Sequence, residues 1–296
     1  MNTTAQRLLP TPSPALPADT QRAPQPVPAL QRAARGVDQA LSRDGKLVWE
    51  VPPPKSDLAA ERLHRKQRLA AGFRLFAQAG FAAGVAGHIT VRDPQWTDHF
   101  WVNPMVVHFS QIRTCDLLLV NHTGEVVEGE GFVNGAGFAI HSELHKARPE
   151  LNAAAHTHSL YGKTWSTYGR LLEPITQDAC MFYDDHALFD DYTGVVTELS
   201  EGARIAEALG HRKAVILQNH GLLTAGRTVE ATVSWFLAME NAARAQILAE
   251  GGGTPKPLKS EVAGRTARMI GSEFIGWLNF QPQWDVITRE QPDLLL

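Results

Sequence analysis

Two apolar runs in this chain stop on histidine, and that limits what it can fold into more than any other feature. The first, residues 152–159, reads NAAAHTHS. Side chains alternate faces along a strand, so His156 and His158 stand side by side on one face and Thr157 takes the other. The second, residues 214–221, reads AVILQNHG and delivers His220 beside a glycine, where the backbone is free to turn toward a cleft. Three neutral imidazoles converging from strand ends can hold one divalent ion at about 2.0–2.1 Å each. They leave a position open for water or substrate, as a catalytic metal requires. Histidines at strand ends also bond to loop carbonyls, so spacing alone leaves a metal site and a structural role both open.

The totals exclude several classes. A chain of 296 residues is one large domain or two small ones. A formal net charge of -3 gives no basis for a nucleic-acid or acidic-membrane partner. No run approaches the roughly 18 apolar residues that cross a bilayer. Cys115 and Cys180 form no CxxC pair, which argues for reduced thiols and a cytoplasmic setting.

Residues 1–55 hold ten of the eighteen prolines and read as a flexible or wrapping arm, with helical periodicity only over 29–41. The globular part, residues 56–252, begins with an amphipathic pattern over 56–80 that has an N-cap serine and a terminal glycine. Short strands follow at GHITVRD, HFWVN and DLLLV, the last joined by the turn NHTG to EVVEGE as a hairpin. GFAIHSELHKARPE reads as a helix, and the strand ending in His158 comes next. After an irregular middle come a helix at EGARIAEALG, the strand AVILQ and a long helix that ends at GGG. Residues 253–296 carry Trp277, Phe280 and Trp284 and are expected to pack on the domain or on a neighbouring subunit. Interleaved strands and helices indicate an α/β fold with a mixed sheet.

ARPELNAAAHTHS, AVILQNHGLLTAG and the upstream AGHITVRDP, FWVNP and DLLLVNHTGEVVEG together resemble the class II aldolase/adducin superfamily, over residues 60–250. The resemblance implies a three-layer α/β/α domain around a mixed, largely antiparallel sheet, usually assembled as a homotetramer with sites near subunit interfaces. It implies that His156, His158 and His220 bind one divalent metal, with zinc foremost and iron(II) or manganese as alternatives. The chain departs from the aldolase pattern where those enzymes carry their acid/base carboxylate: Gly137 stands there. Gly135 and Ala136 replace the phosphate-holding serines, and Gly87-His88 replaces a phosphate-contacting Gly-Asn pair. A glycine cannot act as a base, and an alanine cannot clamp a phosphate.

The side chains that could stand in are His141, four residues after Gly137 on one helical face, and His88; both are expected to be catalytic. His145, His108 and the cluster Tyr183, Asp184, Asp185, His186 could add polar lining. Asn134, Gln177 and Tyr183 are candidates for holding a substrate carboxylate or carbonyl. Trp101, Phe109, Phe182 and Tyr183 suggest an aromatic substrate. The expected function is a metal-dependent carbon–carbon lyase, of retro-aldol or decarboxylase type, acting on a non-phosphorylated 2-oxo or 2-hydroxy acid. Two alternatives stand beside it: a non-haem iron oxygenase that oxidatively decarboxylates or cleaves a 2-oxo acid, and a non-catalytic adducin-like assembly module.

Overall fold

The computed structural model describes residues 49–196 and 198–296. The helical periodicity over 29–41 and most of the proline-rich arm lie outside the described residues. The last part of the arm is extended: Val51 packs with Phe274 and Trp277, and the Trp49 ring lies 5.5 Å from Phe274.

The described elements run in the order α1 (Leu58–Gln78), β1 (His88–Arg92), β2 (Phe100–Val102), β3 (Leu118–Val120), β4 (Val126–Glu128), α2 (Gly135–Ala147), β5 (Ala153–Thr157) and α3 (Leu160–Ser166). They continue with β6 (His186–Phe189), α4 (Leu199–Leu209), β7 (Ala214–Leu217), β8 (Gly221–Gly226), α5 (Val229–Gly251), α6 (Ser260–Ile270) and α7 (Glu273–Glu290). Among the described residues, eight strands form one sheet in the order β4-β3-β2-β1-β5-β8-β7-β6, in which β6 and β7 pair parallel and the other neighbours antiparallel. A mixed, largely antiparallel sheet is thus what forms. The hairpin at Asn121–Gly124 joins β3 and β4, closed by a bond from Gly124 N–H to the Asn121 carbonyl.

The three layers follow from strand alternation. Ala153 and Ala155 of β5, Ile89 and Val91 of β1, and Ile216 of β7 face α1, α5 and α7 in the larger core. Ala154, Val215, Leu217, Leu223 and Ala225 face the other way, onto α2 and α4. Three consecutive alanines in β5 let helices approach closely on both sides. α7 lies along α5 with Phe280 and Trp284 in the larger core, so the C-terminal aromatics are internal. Trp101, Phe109 and Phe182 are also buried in that core. They therefore supply no aromatic wall to a substrate pocket, which corrects the reading of those three residues.

The irregular middle contains two elements that periodicity did not show: α3 and the four-residue edge strand β6. Both are too short to complete a recognisable repeat.

Candidate metal centre

The sheet's register assembles the centre. β1 and β5 are antiparallel, with His88 opposite His156 and Thr90 opposite Ala154. Opposed residues share a face, so His88, Thr90 and His156 all look toward α2. His158 follows two residues beyond His156, just past the end of β5. The turn from β7 to β8 closes with His220 N–H donating to the Leu217 carbonyl at 3.0 Å. Asn219 takes the left-handed conformation in that turn, φ 58°, which asparagine tolerates better than most residues. Gly221 has a separate role. A Cβ there would lie 2.9 Å from the Thr157 carbonyl oxygen, so its absence lets the turn close over β5.

The three imidazoles expected to meet do so. One ring nitrogen from each of His156, His158 and His220 falls within 4.8 Å of the others. Ring centroids are 5.3 Å apart for His156–His158, 4.6 Å for His156–His220 and 4.8 Å for His158–His220. His156 Nδ1 lies 2.8 Å from the Leu222 carbonyl oxygen. A carbonyl only accepts, so Nδ1 carries the hydrogen and Nε2 keeps its lone pair. Nε2 is buried with no hydrogen-bond partner. A buried lone pair aimed among two other imidazoles is the donor arrangement a divalent cation satisfies, so the residues present fit the expected metal. Burial lowers the pKa of all three, with further lowering at His156 from His220, at His158 from Lys163, and at His220 from His158; His220 falls to about 4. Neutral imidazole is the ligating form.

Buried Glu240 on α5 holds the segment that follows His158. Its carboxylate accepts bonds from Ser159 Oγ at 2.5 Å, Tyr161 N at 2.8 Å and Gly162 N at 2.6 Å. This ties the start of α3 to α5 and leaves His158 little freedom to swing away.

A second group of histidines backs the trio. His88 Nδ1 lies 2.7 Å from His141 Nε2, and the His88 ring centroid is 5.1 Å from that of His156. His141 Nδ1 is 2.6 Å from Thr90 Oγ1, which is 2.9 Å from His145 Nε2. The space that the aldolase carboxylate would need is filled: a Cβ on Gly137 would meet His88 Cδ2 at 2.7 Å and Cγ at 2.9 Å. Gly137 and His88, the two positions that depart from the aldolase pattern, are thus in contact, and the ring takes the space a side chain at 137 would need. Thr90 is a member of this group that sequence reasoning missed. The available signal was its position two residues after His88 in a strand, which puts it on the same face.

The other expected residues go elsewhere. Asn134 caps α2, accepting from Ala136 N and Gly137 N, and its amide donates to the Val85 carbonyl; its polar atoms are engaged in the fold. Gln177 is exposed at the start of the turn over Asp178–Phe182. Tyr183 lines a hollow with Lys213, Gly264 and Gly271, at the Ala214 end of β7, away from the His220 turn. Within one chain Tyr183 is not brought to the histidines. His186 bonds to Leu172 N and the Phe182 carbonyl, and His108 bonds to Ser110. A cavity of about 870 Å³ lies at the opposite end of β1, β5 and β8, between residues 49–55 and the starts of α5 and α7, and holds none of the centre's histidines.

The buried histidines make acid stability a measurable consequence. Burial, reinforced by neighbouring positive charge, holds His141 and His145 at about 3, below the ordinary 6.5. The native state thus binds fewer protons than the unfolded chain. Stability is full above pH 6.5 and is lost as pH falls toward 3. Between pH 7.5 and 5.5 each of the two is expected to remove about 1 kcal/mol. Denaturant titrations of metal-free protein at those two pH values check this, and equal midpoints would contradict it.

The model of the family described as class II aldolase and adducin N-terminal domain matches residues 67–247. Decarboxylase NovR of Streptomyces niveus is 44% identical over 252 residues, covering 84% of this chain and 93% of that protein. A 4-hydroxy-3-prenylphenylpyruvate oxygenase/4-hydroxy-3-prenylbenzoate synthase of Streptomyces roseochromogenus subsp. oscitans is 43% identical, covering 84% and 91%. Among solved structures, an L-fuculose 1-phosphate aldolase from Glaciozyma antarctica superposes with a TM-score of 0.77 at 43% identity, covering 83% of this chain and 96% of that one.

Proposed function

The chain belongs to the class II aldolase and adducin family, and from that premise we propose that it is a metal-dependent carbon–carbon lyase, of retro-aldol or decarboxylase type, that breaks the bond between the third and fourth carbons of a non-phosphorylated 2-oxo acid bearing an apolar or aromatic group. The observation that carries this reading is the imidazole trio backed by His88 in the space of the missing carboxylate. His156, His158 and His220 would hold the ion, zinc first and iron(II) or manganese as imidazole-compatible alternatives. A bound divalent ion supplies a Lewis acid for a carbonyl or carboxylate oxygen. His88 takes up or returns a proton beside it, and His141 orients His88 through the 2.7 Å contact. Gly135 and Ala136 offer no side-chain donors to a phosphate. Phe132 and Val85 are exposed on the loops that lead into α2 and β1, the elements that carry Gly137 and His88, and could take an apolar substituent. Assembly into a homo-oligomer, a tetramer by family likeness, is part of the same reading.

A second reading, with oxygen as co-substrate, is favoured by the relative named as a prenylphenylpyruvate oxygenase. The chemistry of the substrate class separates the two. Loss of the carboxyl next to a carbonyl carbon leaves an electron pair that this carbonyl cannot delocalise, so an oxidant must take it. A bond one carbon further away leaves an enolate and needs no oxidant. The test is elemental analysis of protein purified without added metal, followed by aerobic and anaerobic assays with 4-hydroxy- and 4-carboxy-2-oxo acids and with phenylpyruvate-type 2-oxo acids, with L-fuculose 1-phosphate as the comparison. Oxygen-independent cleavage of a 4-hydroxy- or 4-carboxy-2-oxo acid and no sugar-phosphate cleavage is expected. Turnover confined to oxygen selects the second reading. Sugar-phosphate cleavage as fast as 2-oxo acid turnover overturns both.

A further inference from the structure

The hydrogen bonds behind His88 have a direction, and the structure sets it. The buried row His88–His141–Thr90–His145 contains three contacts of 2.7, 2.6 and 2.9 Å. Thr90 has one hydroxyl hydrogen, and each neutral imidazole has one N–H. Three arrangements satisfy all three contacts: two are relays running in opposite directions, and in the third the Thr90 oxygen accepts from both neighbouring rings. The far end of the row decides between them. His145 Nε2 faces Thr90, and its Nδ1 is buried without a partner at hydrogen-bond distance. The Leu151 carbonyl faces this ring and favours a proton on it. A carbonyl oxygen attracts an N–H and repels a nitrogen lone pair, so the hydrogen of His145 sits on Nδ1. Nε2 then accepts from the Thr90 hydroxyl. Thr90 oxygen accepts from His141 Nδ1–H, and His141 Nε2 accepts from His88 Nδ1–H.

We propose that this row fixes His88 in the Nδ1–H tautomer, so that its Nε2 presents a lone pair to the metal centre. Thr90 and His145 are positioning residues in this scheme, acting through His141. The lone pair stands beside Gly137, where a Cβ would come within 3.2 Å of Nε2. It replaces the missing carboxylate with an acceptor of the same polarity, suited to receive a hydrogen bond from a substrate hydroxyl or an enol. That role rests on the functional reading above; the tautomer itself does not.

The test is long-range nitrogen–proton NMR on protein labelled with 15N-histidine, metal-free and zinc-loaded, with His88 assigned from the spectrum of His88→Asn. Wild type is expected to show His88 protonated on Nδ1 alone. Thr90→Val, which keeps shape and removes the hydroxyl, is expected to give a mixture of the two His88 tautomers. It should also lower kcat about 10-fold, with KM within about twofold, the low end of the about 10- to 100-fold range for residues bonded directly to a metal ligand, because Thr90 acts through two rings. Thr90→Ser keeps the hydroxyl and should restore both. His88 protonated on Nε2 in wild type, or a spectrum unchanged in Thr90→Val, overturns the proposal. If Thr90→Val does not fold, the wild-type and Thr90→Ser spectra decide it. The expected tautomer in a protein inert toward every 2-oxo acid would sink the functional reading and leave the row standing.

Discussion

His156→Ala is expected to weaken zinc binding by more than about 10³-fold and to reduce product formation to background. The size follows from position. Partners one step removed from a metal typically change affinity about 10- to 100-fold, and a direct ligand exceeds that range. A 10³-fold loss is about 4 kcal/mol. His156 is the buried member of the trio, with Nδ1 pinned by the Leu222 carbonyl and Nε2 left without a partner. Removing it also removes the hydrogen bond to that carbonyl, so circular dichroism and a denaturant midpoint should accompany equilibrium dialysis with zinc. His220→Ala is a second arm, because His220 lies in a turn and its loss opens little of the core. Stoichiometric zinc in both folded variants would contradict the centre. Loss of zinc together with unfolding in His156→Ala, but with a folded, zinc-free His220→Ala, would still support it.

Much of this arrangement was legible because it rests on short periods. The two-residue repeat of a strand placed His156 beside His158, and the four-residue repeat of a helix placed Gly137, His141 and His145 on one line. Buried strands at β5 and β7 were visible as uninterrupted apolar runs. Pairing between strands was not legible. That His88 lies opposite His156 depends on β1 and β5 being neighbours in register, across 68 residues of chain. Without that pairing, Thr90 is an ordinary strand threonine and His88 a loop residue. The aromatic expectation failed for a related reason. Trp101, Phe109 and Phe182 look alike in sequence whether they line a pocket or fill a core, and only the packing of α1, α5 and α7 over the sheet shows that they fill it. Asn134 shows the same limit: a polar side chain just before a helix serves as a cap as readily as it binds substrate.

Gly137→Glu, which restores the aldolase carboxylate, is expected to inactivate the protein rather than convert it. The first atom added would lie 2.7 Å from His88 Cδ2, inside contact distance, so the ring must leave its place. Moving it breaks the 2.7 Å contact to His141 and disturbs the row through Thr90. Overpacking of this kind costs about 1–3 kcal/mol, and a buried carboxylate without a partner adds to it, so a loss of about 4 kcal/mol is expected. Activity toward a 2-oxo acid should fall at least about 10²-fold, the scale of one lost proton-transfer group. Gly137→Ala separates the steric part from the charge: it adds the clashing carbon alone and should cost about 1–3 kcal/mol. The double variant His88→Asn with Gly137→Glu clears the space and returns both positions to the aldolase pair. It should recover most of the stability lost by Gly137→Glu, giving a coupling energy at the upper end of the about 0.5–3 kcal/mol seen for residues in contact. It should not recover 2-oxo acid turnover, because the imidazole is gone. Additive stabilities in this cycle would show that the glycine and the histidine are independent, and the exchange of ring for carboxylate would then be no more than coincidence of position.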